Sequence, residues 1–270
     1  MDTVQIDLDK IIADRTAKSG KKVPKFIVNY LKRLVHQDEI NEILLDGKDL
    51  NGAAFIDNAL SMMNIRYEAH DAGNIDLDER YVIVSNHPLG GLDGLILISY
   101  FSRTFPDRGL KVLTNDFLMN LKPIKDIFVP INKFGMVRQD AAREIDELFA
   151  SEKEVLTFPA GLCSRKVKGK ITDLEWKKSS VKKAVESGRD VLPVFFAGQN
   201  SNHFYNVEIL RKFLGIKFNI GMALLPGEMF KKRNSSLDFY IRKPIPVETF
   251  TKDHTYQEWT EYVRNIVYNG

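Results

Sequence analysis

The chain of 270 residues has a single cysteine, Cys163, so no intrachain disulfide framework can form and nothing calls for an oxidising compartment. It also lacks any run of about 18 apolar residues, so no bilayer-spanning helix is expected, and contact with lipid would be made from the surface. The start, Met1-Asp2-Thr3-Val4, has no basic segment leading into an apolar run, and no signal peptide is expected. A strong charge bias is missing too. The 39 basic and 36 acidic side chains leave +3, too little to argue for nucleic acid as a partner, so any basic surface must be local. A cytoplasmic location is expected. Apolar residues are plentiful at 44%, enough to bury a core at this length in one domain with an N-terminal extension.

Residues 18–33 contain Lys18, Lys21, Lys22, Lys25, Lys32 and Arg33 and no acid, while Ile27, Tyr30, Leu31 and Leu34 recur at helical spacing behind Pro24. This predicts a basic amphipathic helix, suited to an anionic lipid surface or to docking on its own domain. Helical patterns near Glu39–Leu45 and Ala53–Met63 follow, and Ile65, Tyr67 and Ala69 alternate as a strand. Short β-rich runs then come at 81–84, 111–113, 127–131, 155–158 and 191–196, with helical segments at 141–149 and 173–187 between them. The second of these has Thr172 or Asp173 as N-cap and Gly188 just past its end. A strand at 237–241 and a helix at 256–267 close the chain. The alternation predicts an α/β fold, a mixed and mostly parallel central sheet layered with helices. Residues 1–70 read as an N-terminal helical extension and 71–270 as the main domain.

The first core strand runs into Ser85-Asn86-His87-Pro88-Leu89-Gly90-Gly91-Leu92-Asp93-Gly94. Loops at the carboxyl ends of sheet strands are where α/β proteins place their sites, and Pro88 with Gly90-Gly91 keeps His87 out of regular structure. A neutral imidazole there can take the proton of a hydroxyl that attacks a carbonyl, and a carboxylate such as Asp93 can fix its tautomer and stabilise the imidazolium. Gly90, Gly91 and Gly94 would let backbone amides approach a developing oxyanion. The same residues also suit a plain turn in which Asp93 caps the helix that follows.

Asn-His followed closely by Asp at a strand end, then Phe158-Pro159-Ala160-Gly161 some seventy residues on, resembles the glycerolipid and lysophospholipid acyltransferase family. Ser164-Arg165, Leu174-Glu175-Trp176-Lys177-Lys178, Ala184 and the strand Val191-Leu192-Pro193-Val194 extend the likeness over about residues 78–200. The resemblance implies an enzyme that moves a fatty acyl chain from acyl carrier protein or coenzyme A to a lipid hydroxyl. No cofactor beyond that co-substrate is expected. His87 would be the general base and Asp93 its partner, within a catalytic domain at 71–270. Asn86, Gly90, Gly91, Asn132, Lys133, Phe158, Pro159, Gly161, Ser164, Arg165 and Lys177 would bind substrate. The protein would work peripherally on the inner face of the cell membrane.

Two departures sharpen this. Five residues separate His87 from Asp93 where the family has four, so Gly90-Gly91 must absorb one. The common form Phe-Pro-Glu-Gly-Thr-Arg-Ser is altered to Ala160, Leu162 and Cys163, which removes the arginine best suited to a phosphate head group. The variant resembles a bacterial branch, often labelled hemolysins, that O-acylates lyso-aminolipids such as N-acyl ornithine or glycine. There Arg165, Lys168 or Lys177 would meet a carboxylate. Lysophosphatidate as acceptor and a non-catalytic lipid-binding protein of the same fold are the alternatives. Cys163 reads as a small buried residue, not a nucleophile. His36, His70, His203 and His254 stand apart from any ligand set, so no metal site is expected. The apolar stretch 207–225 suits either an acyl-chain tunnel or hidden core.

Overall fold

The computed structural model describes residues 5–16, 23–114, 121–130, 138–215 and 220–270. Helices α1 (Leu8–Thr16), α2 (Lys25–Leu34), α3 (Gln37–Asp46) and α4 (Gly52–Met62) precede β1 (Arg66–His70). Then come β2 (Tyr81–Ser85), α5 (Gly91–Thr104), β3 (Leu110–Thr114), β4 (Phe128–Pro130), α6 (Arg138–Ala150) and β5 (Glu154–Thr157). The hairpin β6 (Arg165–Val167) and β7 (Lys170–Thr172) leads to α7 (Ser179–Ser187), β8 (Asp190–Phe196), α8 (Asn202–Phe213), α9 (Ile220–Phe230), β9 (Ser236–Ile241) and α10 (Tyr256–Asn269).

Seven strands form one sheet in the order β1-β9-β8-β2-β5-β3-β4. The pairings are parallel except β8 with β9, so β1 and β9 run against the other five and the sheet is mixed and mostly parallel, as expected. All five residues of β2 are buried, because this central strand is covered on both faces. Strand periodicity divides them. Tyr81 and Ile83 join the core with α4 and α5, whereas Val82 and Val84 join the core with Trp176, Val181, Ala184 and Val263 on the other face. The chain leaves β2 toward β3 on one side, and β8 lies on the other, so the carboxyl end of β2 faces a point where the strand order reverses.

Among the described residues, α3 and α4 share this core. Ile43, Leu44, Phe55, Ile56 and Leu60 pack in the same cluster as Ile83 and Leu97, and β1 is the edge strand of the sheet, paired in parallel with β9. The predicted basic helix is present as α2 with Lys25, Lys32 and Arg33, while Lys18, Lys21 and Lys22 lie outside the described residues.

The helix predicted from Asp173 instead begins at Ser179, with Lys178 as its N-cap residue. Asp173 is buried and turns its carboxylate to tertiary partners, so it cannot cap the segment after it. The β6–β7 hairpin has no counterpart in the sequence reading. Its two-residue turn, Lys168-Gly169, takes positive φ at both positions, the arrangement that matches strand twist. The stretch 207–225 is not uniform core among the described residues. Its part in α8 leaves Ile209, Leu210 and Phe213 exposed, and Leu214 just after the helix is exposed too.

Candidate active site

Strand β2 ends at Ser85 and hands the chain to the His87 loop. Asn86 is almost fully buried, with its amide closing two hydrogen bonds to the backbone of Phe196 at the end of β8: Nδ2 donates to the carbonyl at 3.0 Å and Oδ1 accepts from the N–H at 2.6 Å. This residue, expected to touch substrate, ties the loop to the neighbouring strand. At Gly90 the backbone takes φ +81, reverses, and starts α5 at Gly91, which carries Asp93 in its first turn back toward His87. The extra residue between His87 and Asp93 is absorbed at that glycine. A Cβ on Gly90 would also lie 2.8 Å from Cδ2 of Leu225 in α9. Gly90→Ala should therefore cost about 1–3 kcal/mol of stability, read as a lower melting temperature.

Asp93 is fully buried. Its Oδ2 accepts the Leu89 N–H at 2.9 Å and its Oδ1 the Gly94 N–H at 2.8 Å, so it shapes the turn as a capping residue would. The same Oδ1 lies 3.1 Å from Nδ1 of His87. That distance suits a hydrogen bond, but the ring N–H points off the line to the oxygen, so Nδ1 is buried without a well-aligned partner and the contact is chiefly electrostatic. Burial disfavours the charged ring, but the Asp93 carboxylate, with Asp173 behind it, outweighs that and raises the His87 pKa above its ordinary 6.5. The side chain is 19% exposed, and Nε2 bonds to none of the described residues.

A second loop, from the end of β5, closes over the first. The Phe158 ring packs on the imidazole with centroids 4.2 Å apart, and the Ser164 N–H donates to the His87 carbonyl at 2.7 Å. Asp173 locks the two together. Its Oδ1 accepts the His87 N–H at 3.3 Å and the Ser164 hydroxyl at 2.5 Å, and its Oδ2 accepts the Trp176 indole N–H at 2.9 Å. Sequence reasoning missed this role. The one available signal was an acid beside a tryptophan three residues on, and the partners lie 86 and 9 residues away.

Ser164 thus holds the backbone of His87, while Pro159 accepts the Lys177 N–H at 3.1 Å. Gly161 sits at φ +67, where a Cβ would come 3.5 Å from Nζ of Lys177. Lys177 is exposed and makes no ion pair with a described residue. Arg165 is placed differently from expectation. It is buried beneath the loop, its Nε 3.2 Å from Glu208 of α8, its Nη1 donating to the Cys163 carbonyl at 2.6 Å, its guanidinium over the Phe204 ring at 5.1 Å. An acceptor carboxylate would have to displace those partners, so Arg165 braces the loop. Asn132 and Lys133 lie outside the described residues.

Burial pushes the Cys163 thiol up to about 11, despite the nearby Arg165, so it holds its proton at neutral pH and is no nucleophile. Away from the site, His70 packs flat on Tyr240 and pairs with Asp238 at 3.0 Å on the β1–β9 edge, so it is not isolated as its sequence suggested.

The arrangement resolves to a partly exposed base on a buried carboxylate, at the carboxyl ends of central strands, under a loop with a cation at its rim. That apparatus suits proton removal from a hydroxyl beside a carbonyl. The sequence model of the Acyltransferase family matches residues 10–269. The lyso-glycine lipid O-acyltransferase of Bacteroides thetaiotaomicron is 45% identical over 97% of this chain and 96% of its own, and that of Phocaeicola vulgatus 42% identical over 97% and 94%. Among solved structures, the 1-acyl-sn-glycerophosphate acyltransferase PlsC of Thermotoga maritima covers 90% of each chain at 17% identity with a TM-score of 0.46. A match running from residue 10 to residue 269, with relatives this similar over nearly their full lengths, assigns this chain to the acyltransferase family.

Proposed function

We propose that this acyltransferase moves a fatty acyl chain from an acyl thioester to the hydroxyl of a lyso-glycine-type aminolipid. The observation that carries the mechanism is the 3.1 Å approach of His87 Nδ1 to the buried Asp93, which leaves Nε2 as the outward-facing nitrogen. Nε2 takes the acceptor's proton as its oxygen attacks the thioester carbonyl. The tetrahedral intermediate then collapses, the C–S bond breaks, and the imidazolium returns the proton to the departing thiolate. Backbone amides around Gly90 and Gly91 at the start of α5 stabilise the oxyanion, aided by the positive end of the helix.

With Arg165 braced below, Lys177 at the rim is the cation we assign to the acceptor's carboxylate. Cys163, buried where a family arginine would stand, offers nothing to a phosphate. Lys177→Met should raise KM for the carboxylate acceptor roughly ten- to hundredfold, as expected for losing a hydrogen bond to a charged group, and leave kcat nearly unchanged. An acceptor with its carboxylate amidated should show no such change.

Acyl carrier protein and coenzyme A are both candidate donors, and the enzyme would work peripherally on the inner face of the cell membrane. Among the described residues no helix is long and apolar enough to cross a membrane. Transfer from labelled acyl carrier protein and acyl coenzyme A to lyso-glycine lipid, with lysophosphatidate in parallel, tests the proposal. Product on the aminolipid supports it. Product on lysophosphatidate alone makes the acceptor a phospholipid precursor, and no product with any pair removes the catalytic reading.

A further inference from the structure

The carboxylate of Asp173 joins the His87 and Ser164 loops, yet residues 173–177, between β7 and α7, lie in no helix or strand. Their backbone has no ladder to fix it, so its polar groups must find partners elsewhere in the fold. Those partners come from α10.

Gln257, Arg264 and Tyr268 stand seven and four positions apart in α10, which puts them on one flank of the helix. Beside that flank Val263 and Val267 are fully buried in the core that holds Val82, Val84 and Trp176, so the helix cannot turn without opening the core. The Tyr268 hydroxyl accepts the Asp173 N–H at 3.2 Å, Arg264 Nη2 donates to Thr172 Oγ1 at 3.0 Å, and Gln257 Nε2 donates to the Trp176 carbonyl at 3.2 Å. The Tyr268 ring is itself held, with the Arg264 guanidinium 5.2 Å from its centroid and the Phe195 ring of β8 at 5.8 Å.

Of the three, Tyr268 alone bonds to Asp173 itself. From its hydroxyl the line runs through one peptide N–H to Asp173, and from the Asp173 carboxylate to the His87 N–H and the Ser164 hydroxyl. The charges that face the imidazole are Asp93, Asp173 and Arg165. Asp93 is fixed within its own turn by the Leu89 and Gly94 N–H groups, and Arg165 is held by Glu208. Asp173 differs from both, because the segment that carries it is pinned from another element. Burial, and Asp173 after it, raise the Tyr268 pKa above the ordinary phenol value, so the hydroxyl keeps its proton at neutral pH and meets Asp173 as a neutral group.

We propose that Tyr268, in the last turn of α10, is a positioning residue of the catalytic centre: by holding the Asp173 N–H it keeps the Asp173 carboxylate in place between His87 and Ser164. It acts on the base through Asp173 and not on either substrate, a role that rests on the acyl transfer proposed above.

The test is Tyr268→Phe, which removes one hydroxyl and keeps the ring between Arg264 and Phe195. Tyr262→Phe, which removes an exposed hydroxyl from the same helix, is the control. In Tyr268→Phe, kcat for acyl transfer should fall about two- to tenfold, the worth of one neutral hydrogen bond, with KM for both substrates near wild type. The midpoint of kcat/KM against pH should move down, because Asp173 is one of the two carboxylates that raise the His87 pKa. Tyr262→Phe should match wild type in all of these. In an Asp173→Asn background Tyr268→Phe should shift the midpoint no further, since the charge whose place Tyr268 sets is gone.

Wild-type kcat and midpoint in Tyr268→Phe would overturn the proposal. So would a change confined to KM, or a midpoint shift of the same size in the Asp173→Asn background. Titration of the His87 ring by NMR, without substrate, separates this role from the acyl-transfer reading. A lower His87 midpoint in Tyr268→Phe than in wild type supports the positioning even where no acceptor is acylated, and an identical midpoint in an enzyme that transfers acyl chains normally sinks the positioning alone.

Discussion

Replacing His87 by alanine is expected to lower kcat/KM for acyl transfer by about 10²–10⁴-fold, the usual worth of a positioned general base, while thioester binding persists. The fold should survive, because the ring is partly exposed and the loop is held through the backbone of His87 by Ser164 and Asp173. Asp93→Asn should lose much of the same rate. It removes the charge that raises the His87 pKa, though the new amide can still accept from Leu89 or Gly94 through its oxygen. Wild-type activity in His87→Ala, with the protein folded, would eliminate the mechanism.

The pH dependence follows from the same pair. A base works when neutral, so kcat/KM should climb with pH as His87 loses its proton, with a midpoint above 6.5 because Asp93 outweighs burial. Stability runs the other way. A folded pKa raised above the unfolded one gives a stabilisation that is complete below the ordinary histidine range and is lost as pH rises through the folded value. Activity and melting temperature should therefore move in opposite senses over that window, and in Asp93→Asn the activity midpoint should shift downward. A midpoint at or below 6.5 in wild type would mean that His87 is not the titrating base.

Breaking the Arg165–Glu208 pair has the largest expected effect on stability. Both side chains are nearly buried, and removing one partner strands the other's charge, which costs roughly 3–5 kcal/mol in buried pairs. Glu208 also accepts from Arg211 and from the Gly221 N–H, and although burial works against its charge, Arg211 and Arg165 keep its pKa below the ordinary carboxylate value. Glu208→Leu should be the clearer of the two single changes, because it strands the buried Arg165 charge, whereas Glu208 keeps Arg211 and the Gly221 N–H when Arg165 is lost. Urea unfolding should show a lower midpoint at an unchanged slope, and the double replacement Arg165→Leu with Glu208→Leu should be less destabilised than the sum of the single changes. If Arg165→Leu unfolds like wild type yet raises the acceptor KM, then Arg165 reaches the lipid after all and Lys177 is not its carboxylate anchor.

The contrast between Arg165 and Lys177 shows where sequence reading stops. Both stand in a family-like stretch beside the catalytic loop and both are cations, and its place in a loop makes Arg165 the one that the sequence favours. What separates them is Glu208, 43 residues further on, carried by a helix whose approach to β6 belongs to the tertiary fold. Asn86 and Asp173 repeat the lesson. Their partners, Phe196 and His87, are 110 and 86 residues away, and a polar side chain in a loop looks the same in sequence whether it meets substrate or backbone. The early start expected for α7 has the same cause, since local capping preference at Asp173 loses to hydrogen bonds from His87, Ser164 and Trp176, the first of them 86 residues away.

Local chemistry was enough for the rest. Five β-rich runs alternating with helical ones determined an α/β sheet, because strand and helix periods are properties of the nearest few residues. Pro88 and the paired glycines determined that His87 lies in a loop at a strand end, and Gly90 that the chain can reverse there. Only the tertiary structure decided that Asp93 returns to 3.1 Å from the imidazole and that Arg165 is a brace. Each of these depends on which distant side chain occupies the space opposite, and burial and pairing are fixed only when the whole chain packs.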